Sequence, residues 1–113
     1  MPYELLIVER RDKLAVVTLN RPDKRNALSI ALRNEIDLCL EEMEADDTVS
    51  VVVITGAGPV FCAGFDRSEF FQREPDQLKA FVESTDRFHL RLINFAKPLA
   101  AAINGPAMGG GLD

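Results

Sequence analysis

Val51-Val52-Val53-Ile54-Thr55, running without a break into Gly56-Ala57-Gly58-Pro59-Val60-Phe61-Cys62-Ala63-Gly64-Phe65-Asp66, is the stretch on which the fold turns. Four apolar β-branched residues in succession, with no polar alternation, predict a strand covered on both faces, as in parallel sheets, and the loops that leave such strands commonly carry ligands. The first glycine pair does not complete G-x-G-x-x-G, because Phe61 stands where the last glycine would, and no G-K-[ST] follows. Dinucleotide-binding and phosphate-loop readings both fail on that spacing.

Working outward from this strand, Tyr3–Val8 and Leu14–Asn20 read as two antiparallel strands joined across the charged Glu9-Arg10-Arg11-Asp12-Lys13. Pro22 ends regular structure. Ser29 is a suitable N-cap for a helix to about Ala45, with Leu32, Ile36, Cys39, Leu40 and Met43 recurring at helical spacing on its inner face. The acids Glu41, Glu42, Glu44, Asp46 and Asp47 gather at the end that the helix dipole disfavours and read as a solvated face closing the helix. Beyond the strand, a short helix is expected over Asp66–Glu74. A longer one should begin at Pro75-Asp76, with Leu78, Phe81, Val82, Thr85, Phe88, Leu92 and Ile93 on one apolar face, until Lys97-Pro98 ends it. Leu99–Ile103 is short and apolar enough for another inner strand. The predicted order is strand, strand, helix, strand, helices, strand.

That last strand leads into a second glycine-bearing loop, Gly105-Pro106-Ala107-Met108-Gly109-Gly110-Gly111-Leu112-Asp113. Glycine lacks Cβ and so permits a close approach to the backbone, which suits bare N–H groups meeting an oxygen. Two such loops suggest a site in which one backbone N–H from each converges on a single carbonyl oxygen, the arrangement of an oxyanion hole. Three ordered motifs resemble the enoyl-CoA hydratase/isomerase family, also called the crotonase superfamily: Asn20-Arg21-Pro22-Asp23-Lys24-Arg25-Asn26-Ala27-Leu28, Phe61-Cys62-Ala63-Gly64-Phe65-Asp66, and Ala102-Ile103-Asn104-Gly105-Pro106-Ala107-Met108-Gly109-Gly110-Gly111.

The resemblance implies an α/β fold, a crotonase-like spiral of β-β-α units. Since members of the family are more than twice this length, residues 1–113 read as the N-terminal portion of a single crotonase-like domain, incomplete at the C-terminus. It also implies that the backbone N–H groups of Phe65 and Gly110 stabilise a thioester enolate. Asp113 lies where many hydratases of the family place a catalytic glutamate, and the second acid of the family would fall beyond the chain. An aspartate here also resembles the dienoyl-CoA isomerase branch, so hydration and double-bond migration both stand. By the same resemblance Lys24, Arg25 and Ala27 meet the nucleotide and pantetheine of coenzyme A, and Ala63 and Asp66 lie beside the adenine and thioester arm. Gly64, Met108 and Gly109 belong to the same substrate-binding loops. Coenzyme A enters as part of an acyl-CoA thioester substrate, with no metal and no separate cofactor. The full-length form is expected to be a homo-oligomer, a trimer or hexamer. A reading of another class is a CoA-binding or assembly piece without turnover.

Composition agrees with a globular protein: of 113 residues 47% are hydrophobic and 27% charged, ordinary values for one folded domain. Thirteen basic against eighteen acidic residues give a net charge of −5, which argues against nucleic acid or an anionic membrane as partner. No apolar stretch approaches the ~18 residues of a span, and Met1-Pro2-Tyr3-Glu4 lacks the start of a secretory signal, so a soluble, cytoplasmic protein is expected. Cys39 and Cys62 are too few for a disulfide framework and read as reduced thiols. His89 stands alone, which makes neither a triad nor a metal site, and sits within the long helix one position after Phe88, where a surface or boundary role is expected.

Overall fold

The computed structural model describes residues 3–70, 74–108 and 111. Its elements are β1 (Leu6–Arg11), β2 (Leu14–Leu19), a 3-10 turn at Pro22–Lys24, α1 (Ile30–Ala45), β3 (Val51–Gly56), α2 (Arg67–Phe70), α3 (Pro75–Asn94) and β4 (Leu99–Ala101). They follow the predicted order. One mixed sheet of order β1-β2-β3-β4 forms, with β1 antiparallel to β2 and the other neighbours parallel.

The hairpin is tighter than its charges suggested. Leu6 pairs with Leu19 and Arg11 with Leu14, so Glu9, Arg10 and Arg11 belong to the strand and Asp12-Lys13 alone make the turn. As an edge strand β1 keeps these side chains in water, and charge is tolerated there. Asp12 takes the left-handed conformation (φ 54°), for which aspartate is among the better non-glycine residues.

In β2, Ala15, Val17 and Leu19 are buried while their alternate neighbours are half-buried. In β3 only Val52 is fully buried, so the expected coverage of both faces is partial, and Val51 and Val53 are half-buried on the opposite face. Register is continuous from Leu14–Val51 to Leu19–Gly56, which places the ends of β2 and β3, and the loops that leave them, side by side.

Ser29 caps α1, its hydroxyl accepting the Leu32 N–H at 3.1 Å. Leu32, Ile36, Cys39, Leu40 and Met43 pack inward as their spacing predicts, and burial pushes the Cys39 thiol up to about 11. The acids at its C-terminus are engaged rather than merely solvated. Arg10 and Thr48 hold Asp46, Tyr3 donates to Glu42, and Arg91 lies 3.6 and 3.7 Å from Glu41 and Glu44. Lys97 Nζ donates to the Met43 and Asp46 carbonyls at 2.7 Å each, putting a cation at the negative end of the dipole.

The long helix α3 buries less than its apolar face predicts: Phe88 and Ser84 are covered, whereas Leu78, Val82 and Ile93 are 47%, 52% and 77% exposed. It packs on α1 along a narrow line, and at the centre of that line Ser84 supplies an oxygen to Arg33. β4 is shorter than predicted because Ala102 makes the last backbone bond to β3, at Ile54. Asn104 Oδ1 then accepts the Gly56 N–H at 3.1 Å in place of a strand residue.

Candidate functional site

Three loops meet at the ends of these strands: residues 20–28 after β2, 57–66 after β3 and 102–108 after β4. The first reverses on itself because Arg25 and Asn26 both adopt left-handed backbone angles, φ 54° and 55°. Asn26 is fully buried and reads every side of the turn. Its N–H donates to the Arg21 carbonyl, and its Oδ1 accepts the Arg21 N–H at 2.8 Å. Its Nδ2 donates to the carbonyls of Ala57, Val60 and Phe61 at 3.0 to 3.2 Å. One amide thus ties the first loop to the second.

The second and third loops are joined as closely. Cys62 and Ala107 form a parallel bridge, with the Met108 N–H donating to the Cys62 carbonyl at 3.0 Å and the Cys62 N–H reaching Pro106. Asn104 Nδ2 donates to the Gly58 carbonyl at 2.9 Å. A Cβ on Gly111 would stand 2.3 Å from the Cys62 carbonyl oxygen, so the residue that closes the glycine run can only be glycine. Its own N–H donates back to Met108 at 2.8 Å.

The decisive geometry surrounds Phe65. Leu28 and Phe65 form a second parallel bridge, in which the Leu28 N–H donates to the Gly64 carbonyl at 2.7 Å and its carbonyl accepts the Asp66 N–H at 3.2 Å. In a parallel ladder, a residue whose two flanking peptides are bonded to one partner directs its own N–H to the opposite side. Among the described residues the Phe65 N–H has no acceptor. Gly64 makes the bend with φ 96°, a value that residues with a Cβ rarely adopt.

Each expected site residue can now be placed. Lys24 and Arg25 are exposed on the outside of the first loop, and neither is ion-paired among the described residues. Arg21 is not available to a phosphate, because Nη1 donates to the Ala27 carbonyl at 3.0 Å and lies 2.8 Å from Asp66. Asp66 also accepts the Ser68 N–H and hydroxyl, and these bonds, with the Arg21 cation, hold its carboxyl below the usual range. The Ala63 N–H is engaged by the Arg25 carbonyl at 3.0 Å, which fixes the start of the Phe65 bend. Met108 is exposed. Gly109, Gly110 and Asp113 lie outside the described residues. Cys62 is buried with its Sγ directed to the Asn26 carbonyl at 3.2 Å.

Three residues that organise the site escaped sequence reasoning: Asn26, Asn104 and Arg33. Arg33 carried a usable signal, since it lies three and seven residues before Ile36 and Leu40 on the inner stripe of α1. It is fully buried, with Nη1 donating to the Leu28 carbonyl at 2.5 Å and Nη2 to Ser84 Oγ at 2.8 Å. Its guanidinium carbon lies 5.1 Å from the Phe65 ring centroid and 4.8 Å from that of Phe81. Burial pushes its pKa down. His89 packs edge-on to Phe65 at 6.2 Å, the boundary position expected of it.

Comparison with known proteins bears on this arrangement. The enoyl-CoA hydratase/isomerase family model matches residues 9–113. The chain is 39% identical to the short-chain-enoyl-CoA hydratase of Clostridium acetobutylicum over 114 residues, which cover all of this chain and 44% of that protein. It is 38% identical to 4-chlorobenzoyl coenzyme A dehalogenase-2 of an Arthrobacter species, covering 93% of this chain and 40% of that one. Among solved structures, enoyl-CoA hydratase from Mycobacterium tuberculosis H37Rv superposes with a TM-score of 0.76 at 41% identity, covering 96% of this chain and 43% of that chain. The chain therefore spans less than half the length of the curated relatives it matches. The mixed sheet with its helices is the crotonase fold.

Proposed function

The chain belongs to the enoyl-CoA hydratase/isomerase family, and on that premise we propose that it stabilises the enolate of an acyl-CoA thioester between the backbone N–H groups of Phe65 and Gly110. The observation that carries this reading is the Phe65 N–H, left without an acceptor among the described residues while both flanking peptides are bonded to Leu28. The α-proton of a thioester is too weak an acid for a carboxylate at neutral pH, so charge developing on the carbonyl oxygen has to be met by donors already in place. Each such donor is worth on the order of 10²–10³ in rate, or ~3–4 kcal/mol.

Lys24 and Arg25, exposed and without ion-pair partners among the described residues, would take the coenzyme A phosphates. The side chain of Asp66 contributes indirectly, since its ion pair with Arg21 pins the loop that Ala63 and Gly64 carry. Asp113 would move the proton. Hydration of an enoyl thioester is the favoured reaction, with dienoyl isomerisation as the alternative because aspartate stands where many hydratases of the family have glutamate. The second reading is a chain that binds coenzyme A without turnover.

Loss of absorbance of a conjugated enoyl thioester, measured on a sample whose coenzyme A binding is titrated in parallel, tests the proposal. Binding with turnover is the expected result. Binding without turnover supports the second reading, and failure to bind either coenzyme A or its thioester overturns both.

A further inference from the structure

A buried guanidinium that no carboxylate among the described residues pairs with needs a reason. Among the described residues Arg33 makes no ion pair, and its Nε has no hydrogen-bond partner although it is enclosed. The nearest acids are occupied: Asp66 by Arg21 and Ser68, and Glu69 by the Ile30 N–H at 2.7 Å. An apolar side chain would fill the same place at lower cost. The Leu28 carbonyl would still accept the Asp66 N–H, and the Ser84 hydroxyl would still donate to the Phe81 carbonyl at 3.0 Å. Arg33→Met therefore leaves no polar group stranded, and the cation is dispensable to the fold.

What the cation does reach is Phe65, once through the Leu28 carbonyl and once directly over its ring. Through Nη1 it fixes the Leu28 carbonyl, the atom that also orders the peptide after Phe65. Its guanidinium carbon also lies over the Phe65 ring, as it does over that of Phe81, and Phe81 and His89 meet the Phe65 ring edge-on. We propose that Arg33 is a positioning residue for the oxyanion donor, setting the direction of the Phe65 N–H by locking both its backbone bridge and its ring. The inference rests on the reading of that N–H as a donor to an acyl thioester.

The test uses the whole chain labelled with ¹⁵N and crotonyl-CoA labelled with ¹³C at the thioester carbonyl, with free coenzyme A as the second probe. In the unsubstituted protein, crotonyl-CoA should move the Phe65 amide proton and the carbonyl carbon downfield, as a hydrogen bond that polarises the carbonyl does. In Arg33→Met both shifts should be largely lost, while affinity for free coenzyme A stays within about threefold, because Lys24 and Arg25 are untouched. Thermal stability should be unchanged or raised. A variant that keeps both shifts overturns the positioning role. A variant that loses affinity for coenzyme A and thioester together also overturns it, since that is the mark of a merely structural residue. No downfield shift in the unsubstituted protein overturns the donor reading itself. Should Arg33→Met fail to fold, the stability expectation is refuted. Ser84→Ala, which frees one arm of the guanidinium, then decides on the same two resonances: reduced shifts support the role and unchanged shifts exclude it.

Discussion

The frame of this molecule and its loop cluster are held together by different physics. In the frame, Leu32, Ile36, Cys39, Leu40 and Met43 pack on Ala15, Val17 and Val52, and the attraction is the non-directional removal of apolar surface from water. In the cluster the joints are single polar side chains: Asn26, Asn104, and Arg21 with Asp66. Small edits should be absorbed by the first and felt by the second, because a hydrogen bond has one direction and a hydrophobic contact has many.

The largest effect should come from an edit of almost no size. Asn26→Asp keeps the shape but aims a carboxylate oxygen at the carbonyls of Ala57, Val60 and Phe61. A buried charge without a partner costs about 3–5 kcal/mol, to be read as a fall in the urea midpoint at neutral pH. Next, Gly110→Pro removes the second proposed donor and should lower turnover by roughly 10²–10³ in an active preparation, with binding of free coenzyme A retained. Ile36→Val, by contrast, deletes a methyl group from the frame and should cost only about 0.5–1.5 kcal/mol without touching thioester affinity. If Ile36→Val proved as damaging as Asn26→Asp, the contrast between the two regions would be lost.

The smallest effect is one of pH. The folded carboxyl of Asp66 is held below its unfolded value by the Ser68 bonds and the Arg21 cation. Its contribution is therefore present above about pH 4, the unfolded value, and is lost as pH falls through the lower folded one. Asp66→Asn should flatten the acid limb of the stability curve, measured by thermal melts between about pH 5 and pH 2. An unaltered slope would show that the Arg21–Asp66 pair is not a joint of the cluster.

The frame was largely legible in the sequence because its signals are local. The 3.6-residue spacing of α1, the Ser29 cap and the apolar run of β3 each lie within a few residues of what they specify. Reading faltered where context outvoted composition: at Glu9–Arg11, whose charges belong to an edge strand, and on α3, where a narrow contact leaves Val82 and Ile93 in water. The site was legible as motifs but not as mechanics. Asn26 reaches Ala57 across 31 positions and Asn104 reaches Gly56 across 48, and no local pattern announces bonds of that span. Arg33 shows the opposite failure, since its place on the buried stripe was visible while the rule that charge stays outside hid it.

The single amide of Asn26 also gives the protein a chemical clock. Deamidation, the slow hydrolysis that turns asparagine into aspartate in ageing polypeptides, would write the Asn26→Asp change into old molecules without any mutation. Burial and the grip of three carbonyls slow that clock in the folded chain. Every excursion to an open form restarts it, so stored samples should decline in binding competence in step with how often this loop unfastens.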